Sequence, residues 1–352
     1  MNSSDIARLF LALLVGAAGA AMFLYGGLPL AWMLGPMLAT MLASLLGAPI
    51  AVPAALRGPT IAVLGVLLGS SFDRETLALL MQWAPIVAAL PGYVAVVVAL
   101  AFAYLRRIAR LDARTAWFAA TPGGLGEMVV LGDRAGGDAP TIALLHSTRI
   151  FLVVFAIPFG LRALGYEIPT VPATGRVAPG AWDLAAMTAC GLVGFFAGRL
   201  LRMPAPALLG PMLASAAAHL LGAVQGAPPV ALVAAAQLVI GAQVGARFSG
   251  YPILRVVATV TIGAGLTVLM LALAALGGWA LARATGLPVL LLLLALAPGG
   301  LAEMSLVALA LTDEPALVAA VHIVRITLVV FAAPSIFRFL ARRFGETKRE
   351  HA

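Results

Sequence analysis

Long apolar runs broken by short polar clusters set the pattern of this chain. One series covers residues 6–26, 28–47, 58–72, 78–105, 115–131 and 140–164; a second covers 180–201, 203–222, 228–247, 252–282, 287–311 and 315–341. Apolar stretches of about 20 residues match the length of a membrane-crossing helix. Lipid offers no partner to backbone polar groups, so only helices or closed barrels span it. A barrel would need alternating segments of about ten residues, and these runs do not alternate. The pattern therefore predicts helices throughout. The most polar long connection, 165–180, begins Gly165-Tyr166-Glu167-Ile168-Pro169 and ends near Pro179, and it reads as a linker. The expected organisation is a membrane unit over 1–164, the linker 165–180, a second membrane unit over 181–341, and a charged cytoplasmic tail over 342–352.

The two series also repeat in detail. Thr121-Pro122-Gly123-Gly124-Leu125-Gly126-Glu127-Met128 returns 176 positions later as Ala297-Pro298-Gly299-Gly300-Leu301-Ala302-Glu303-Met304. At the same offset His146 and Arg149 reappear as His322 and Arg325, and Pro158 as Pro334. Leu34-Gly35-Pro36-Met37-Leu38-Ala39 returns as Leu209-Gly210-Pro211-Met212-Leu213-Ala214. Arg8 and the apolar run behind it resemble a secretory signal with a small-residue cleavage site. Because Gly19 through Leu34 align without a gap onto Gly194 through Leu209, the first run is expected to stay as the first span.

Composition sharpens the class. Of 352 residues, 62% are hydrophobic and 10% charged, against about 25% charged in soluble domains, and the mean hydropathy is +1.07. The expected fold is an all-α polytopic membrane protein of two tandem repeats, five to six membrane segments each, with a Gly/Pro-broken or re-entrant segment in both. The net charge of +8 fits arginines crowding membrane-flanking loops. No soluble stretch is long enough for a DNA-binding domain, so nucleic acid is not an expected partner; the bilayer is. Cys190 is the single cysteine and lies in an apolar run, where a packing role is expected.

Arginine placement bears on the symmetry. If every run crosses and the N-terminus is cytoplasmic, Arg74, Arg134, Arg199, Arg202, Arg247 and Arg255 fall outside. If the Pro-Gly-Gly segments enter and return on one side, Arg74, Arg162, Arg176 and Arg283 do. Positive-inside bias favours the second arrangement, which leaves five crossings per unit and makes the repeats inverted. Both termini are then cytoplasmic.

Candidate chemistry concentrates at the repeated breaks. Pro122, Gly123 and Gly124, and Pro298, Gly299 and Gly300, should interrupt a helix and leave backbone groups unpaired, with the glycines supplying conformations closed to other residues. A half-helix restarting after Gly124 would carry Glu127 in its first turn, and Glu303 would stand likewise after Gly300. Buried carboxylates are expensive in lipid, so these two are candidates for a coupling-ion site, or they cap the broken helices. His146 and Arg149 share a helix face, as do His322 and Arg325. Each Arg either neutralises the Glu of its own half, the favoured arrangement, or faces a cavity and holds an anionic solute. For each His, hydrogen-bonded packing is favoured over proton relay. Asp133, Asp138, Asp313 and Glu314 read as solvated segment ends. Gln237 and Gln243 have apolar first-half counterparts, so the site is expected to be asymmetric. No His-x-x-x-His, cysteine pair or Gly-x-Ser-x-Gly occurs, and Gly123-Gly124-Leu125-Gly126 lacks a following Lys. No enzyme, metal or cofactor is expected.

The Leu34-Gly35-Pro36-Met37 element, the Pro122-Gly123-Gly124-Leu125-Gly126-Glu127-Met128 element, His146-x-x-Arg149 and their second copies resemble the AbrB-type membrane protein family, whose bacterial members carry a tandem duplication. The resemblance spans nearly the whole chain. Members have carried labels as ammonia monooxygenases and as regulators of gene expression; the first would need metal ligands that are missing here. The resemblance implies a bacterial inner-membrane protein. Together with the breaks and buried charges, it leads to the expectation of a secondary transporter of a small solute, proton- or cation-coupled, with a homo-oligomer compatible. The alternative is a non-transporting membrane sensor or regulator that affects expression indirectly.

Overall fold

The computed structural model describes residues 3–72, 74–170 and 178–343. Part of the expected linker, and the expected tail beyond 343, lie outside the described residues.

Helices account for all the regular structure among the described residues. The first half contains α1 (Ser3–Tyr25), α2 (Ala31–Leu45), α3 (Arg57–Gly69, entered through a 3-10 turn at Ala54–Leu56), α4 (Arg74–Arg107), α5 (Ala113–Ala120), α6 (Leu125–Arg134) and α7 (Ala139–Ala163). The second contains α8 (Ala181–Leu200), α9 (Pro206–Leu220), α10 (Val230–Ala246), α11 (Ile253–Thr285), α12 (Val289–Leu296), α13 (Leu301–Leu311) and α14 (Pro315–Arg343). Among the described residues six segments are long and apolar enough to cross a membrane: Ser4–Tyr25, Gln82–Arg107, Ala139–Ala163, Ala181–Leu200, Ile253–Thr285 and Pro315–Phe339. The chain is thus an all-helical polytopic membrane protein. Pro36, Pro85, Pro91, Pro158, Pro211 and Pro334 sit inside helices that continue past them.

Four apolar runs form helices shorter than a full span. The helices α2, α3, α9 and α10 have 15, 13, 15 and 17 residues, about 20 to 26 Å at 1.5 Å per residue. They lie at the centre, α2 packed on α10 and α9 on α3, and α1 and α8 flank them. Backbone contact demands glycine there. A β-carbon at Gly35 of α2 would sit 2.6 Å from the Gly19 carbonyl carbon of α1, and one at Gly194 of α8 would sit 2.6 Å from the Gly210 carbonyl of α9. With no hydrophobic drive between helices in lipid, such close packing is what holds them together. Gly210→Val is accordingly expected to cost about 1–3 kcal/mol or more by overpacking, read as a lower denaturant midpoint of the purified protein.

Polar side chains join the halves. Tyr93 Oη donates to Leu296 O at 3.1 Å, Tyr104 Oη to Ile262 O at 3.1 Å, Trp117 Nε1 to Ala333 O at 3.2 Å and Ser215 Oγ to Val66 O at 2.8 Å. The Asp138 backbone N–H donates to Thr115 Oγ1 at 2.8 Å, which brings the start of α7 beside the start of α5. The start of α5 therefore lies beside the end of α6. Asp138, exposed as a segment end, also caps α7 through Thr141 and pairs with Arg255 at 2.7 Å.

Candidate functional site

Both predicted breaks are present. The α5 helix stops at Ala120 and α6 starts at Leu125; α12 stops at Leu296 and α13 starts at Leu301. Proline supplies no N–H and ends the preceding helix. Glu127 and Glu303 lie in the first turns of α6 and α13. The glycines have a different purpose from the one expected. Gly124 has φ −64° and ψ 134°, Gly300 φ −75° and ψ 150°, and Gly123 and Gly299 are not among the positive-φ residues. Their value is room. The place of a β-carbon at Gly124 is taken by the Glu127 carboxylate, and at Gly300 by that of Glu303, so each acid folds back over the positive start of its own helix. A β-carbon at Gly123 would meet Val329 of α14 at 2.8 Å, and one at Gly299 would lie 3.4 Å from Val153 of α7. Each break thus packs on the long helix of the other half.

The two arginines are both buried, each 2% exposed, and they do different things. Arg325 Nη1 donates to Ala297 O at 2.6 Å and Nη2 to Gly299 O at 3.1 Å, so it satisfies carbonyls freed where α12 ends. In the first half, Thr121 O instead accepts from the Gly123 N–H at 2.8 Å. Arg149 has no such acceptors: its Nε and Nη1 are buried without a hydrogen-bond partner. The favoured Glu–Arg ion pair is therefore not formed. Among the described residues the ion pair present is Arg255–Asp138, because the acids turn toward their own helix starts and Arg325 turns toward carbonyls. His146 Nε2 donates to Phe118 O at 2.9 Å and His322 Nδ1 to Val318 O at 2.9 Å, both fully buried.

The breaks meet at a cavity of about 370 Å³. Gly123, Gly124, Leu125 and Glu127 form one wall and Gly299 through Glu303 another, with Arg149 between them; His146, His322 and Arg325 are not in its lining. The remaining walls are a face of α3 (Arg57, Gly58, Ile61), the start of α9 (Ala205 to Leu208) and the end of α10 (Ile240, Gln243, Arg247). Glu303 is buried and Glu127 exposed, so the site is asymmetric. Arg57, Arg247 and the start of α9 were missed as site residues. Gln243 and Arg247 stand four apart and share a helical face, a signal masked by the position of Arg247 at the end of an apolar run. Gln237 is buried away from this lining.

Residues 32–341 match a protein family described as "Transition state regulatory protein AbrB". The chain is similar to "Uncharacterized protein YhjN" of Bacillus subtilis, 28% identical over 95% of this chain and 93% of that one. It is also similar to "Putative regulator AbrB" of Escherichia coli, 27% identical over 91% of this chain and 92% of that one.

Proposed function

Given that this chain belongs to the AbrB family, and that its helices surround a cavity walled by two broken segments, we propose that it is a secondary transporter of a small solute in the bacterial inner membrane. The observation that carries the reading is the meeting of both breaks, with their glutamates, at one cavity lined by both halves. Irregular backbone in a membrane protein persists where it lines a cavity, and transporters place their sites where broken helices meet. Glu127 and Glu303 bind the coupling ion, a proton. The return of α5–α6 to the level of α7, marked by the Thr115–Asp138 bond, supports five crossings per half and inverted repeats with cytoplasmic termini; one helix bundle then moves past the other around the cavity.

A non-transporting regulator is the second reading, favoured by the name of the Escherichia coli relative. Proteoliposomes holding a pH gradient separate the two. Ammonium, amino acids and small carboxylates are offered, and sensor-surface current and tracer uptake are recorded for wild type, Glu127→Gln and Glu303→Gln. A solute-evoked, pH-dependent signal that the Gln variants lose is the expected result. Silence of a folded, oriented protein across the panel favours the regulator.

A further inference from the structure

We infer that the solute held in this cavity is a small anion, of the carboxylate, phosphate or sulfonate class, and that Arg149 is the residue that binds it. The inference rests on the transporter reading for the role of the cavity and on the following geometry for the charge. Arg149 is 2% exposed and lines the cavity, and its Nε and Nη1 are buried with no protein acceptor. A guanidinium buried to this degree without a counter-charge is costly, and in a membrane protein such a group faces a partner or a wet path. Its copy, Arg325, spends two donors on Ala297 O and Gly299 O, while the Gly123 N–H holds the Thr121 carbonyl and so leaves Arg149 free. One arginine of the pair is structural and the other is available.

Cations outnumber acids around the cavity, Arg57, Arg149 and Arg247 against Glu127 and Glu303. The glutamates fold back over the starts of their own helices, whose positive ends offset part of their charge. Three cations, Arg57, Arg149 and Arg247, remain on the cavity walls, and Arg247 Nη1 and Gln243 Nε2 are further buried donors without partners. The start of α9 adds a helix N-terminus with no acid of its own. The matching start of α2 is covered instead, since Leu30 N–H donates to Pro169 O at 3.3 Å and Ala31 N–H to Thr170 O at 2.9 Å. Planar guanidinium, amide and backbone donors around one cavity suit a planar or tetrahedral oxyanion and disfavour a cation such as ammonium.

The chemistry would also fit the phosphate of an anionic lipid, so the test keeps the two sources apart. Purified protein in phosphatidylcholine nanodiscs is titrated with acetate, succinate, sulfate and inorganic phosphate, with ammonium as the cationic control, and thermal midpoints are followed. Separate nanodiscs contain phosphatidylglycerol. At least one of the four anions is expected to raise the wild-type midpoint saturably, with affinity falling at least tenfold in Arg149→Gln and partly recovered in Arg149→Lys, whose monodispersity on size exclusion shows that it folds. Binding of none of the four, equal binding by Arg149→Gln, or stabilisation by phosphatidylglycerol alone overturns the inference. Anion binding without flux in proteoliposomes leaves the inference standing and removes the transporter reading; ammonium flux without anion binding does the reverse.

Discussion

Arg325→Gln is expected to destabilise the protein by about 3–5 kcal/mol, while Arg149→Gln, the same change at the copied position, is expected to cost no more than about 1 kcal/mol. The two arginines are equally buried, so burial cannot separate them; their partners do. Arg325 holds two carbonyls at the end of α12. A neutral glutamine is too short to reach both, and a buried carbonyl left without a donor costs about 1–3 kcal/mol. Arg149 loses no partner on replacement, and removing an unpaired buried cation relieves part of its desolvation cost. Denaturant midpoints in mixed micelles, with the monodisperse fraction after extraction, would check the pair. Equal loss in both variants would mean that Arg149 also holds the fold and would remove its assignment as a binding residue.

This difference between two copies of one motif marks the limit of what the sequence makes legible. The breaks could be placed to the residue, because a proline without an N–H before two glycines ends a helix whatever surrounds it. The first-turn position of Glu127 and Glu303 followed from the same reasoning. The acceptor of each arginine did not follow. Position 121 is Thr and position 297 is Ala, yet the deciding event is a turn in which the Gly123 N–H takes the Thr121 carbonyl, and backbone acceptors carry no letter in the sequence. The glycines were legible as necessary and misread as to cause: at Gly124 and Gly300 the backbone angles suit any residue, and the missing β-carbon makes room for a carboxylate from the next turn. Apolar runs such as 58–72 and 203–222 looked like full spans because hydropathy does not distinguish a lipid-facing helix from one buried among other helices. The central helices α3 and α9 are of the buried kind.

If Glu303 carries the coupling proton, Glu303→Gln is expected to abolish uphill, pH-driven uptake, by tenfold or more, while exchange of internal for external solute persists. Exchange moves no net proton, so a permanently neutral side chain that mimics the protonated acid still permits it; accumulation needs the proton to be released on one side. Glutamine keeps the volume of the acid, which lies over Gly300. On this reading the carboxylate of Glu303 and an anion on Arg149 oppose each other across one cavity. Removal of the charge in Glu303→Gln should therefore raise the apparent affinity for the solute above that of wild type. Glu127 lies at the matching place on α6, so Glu127→Gln is expected to lose uphill uptake as well. Tracer uptake under an imposed pH gradient, beside counterflow at equal pH, measures both. Loss of counterflow together with uptake in Glu303→Gln would assign this acid to solute binding or to the fold, and the proton site would then lie elsewhere.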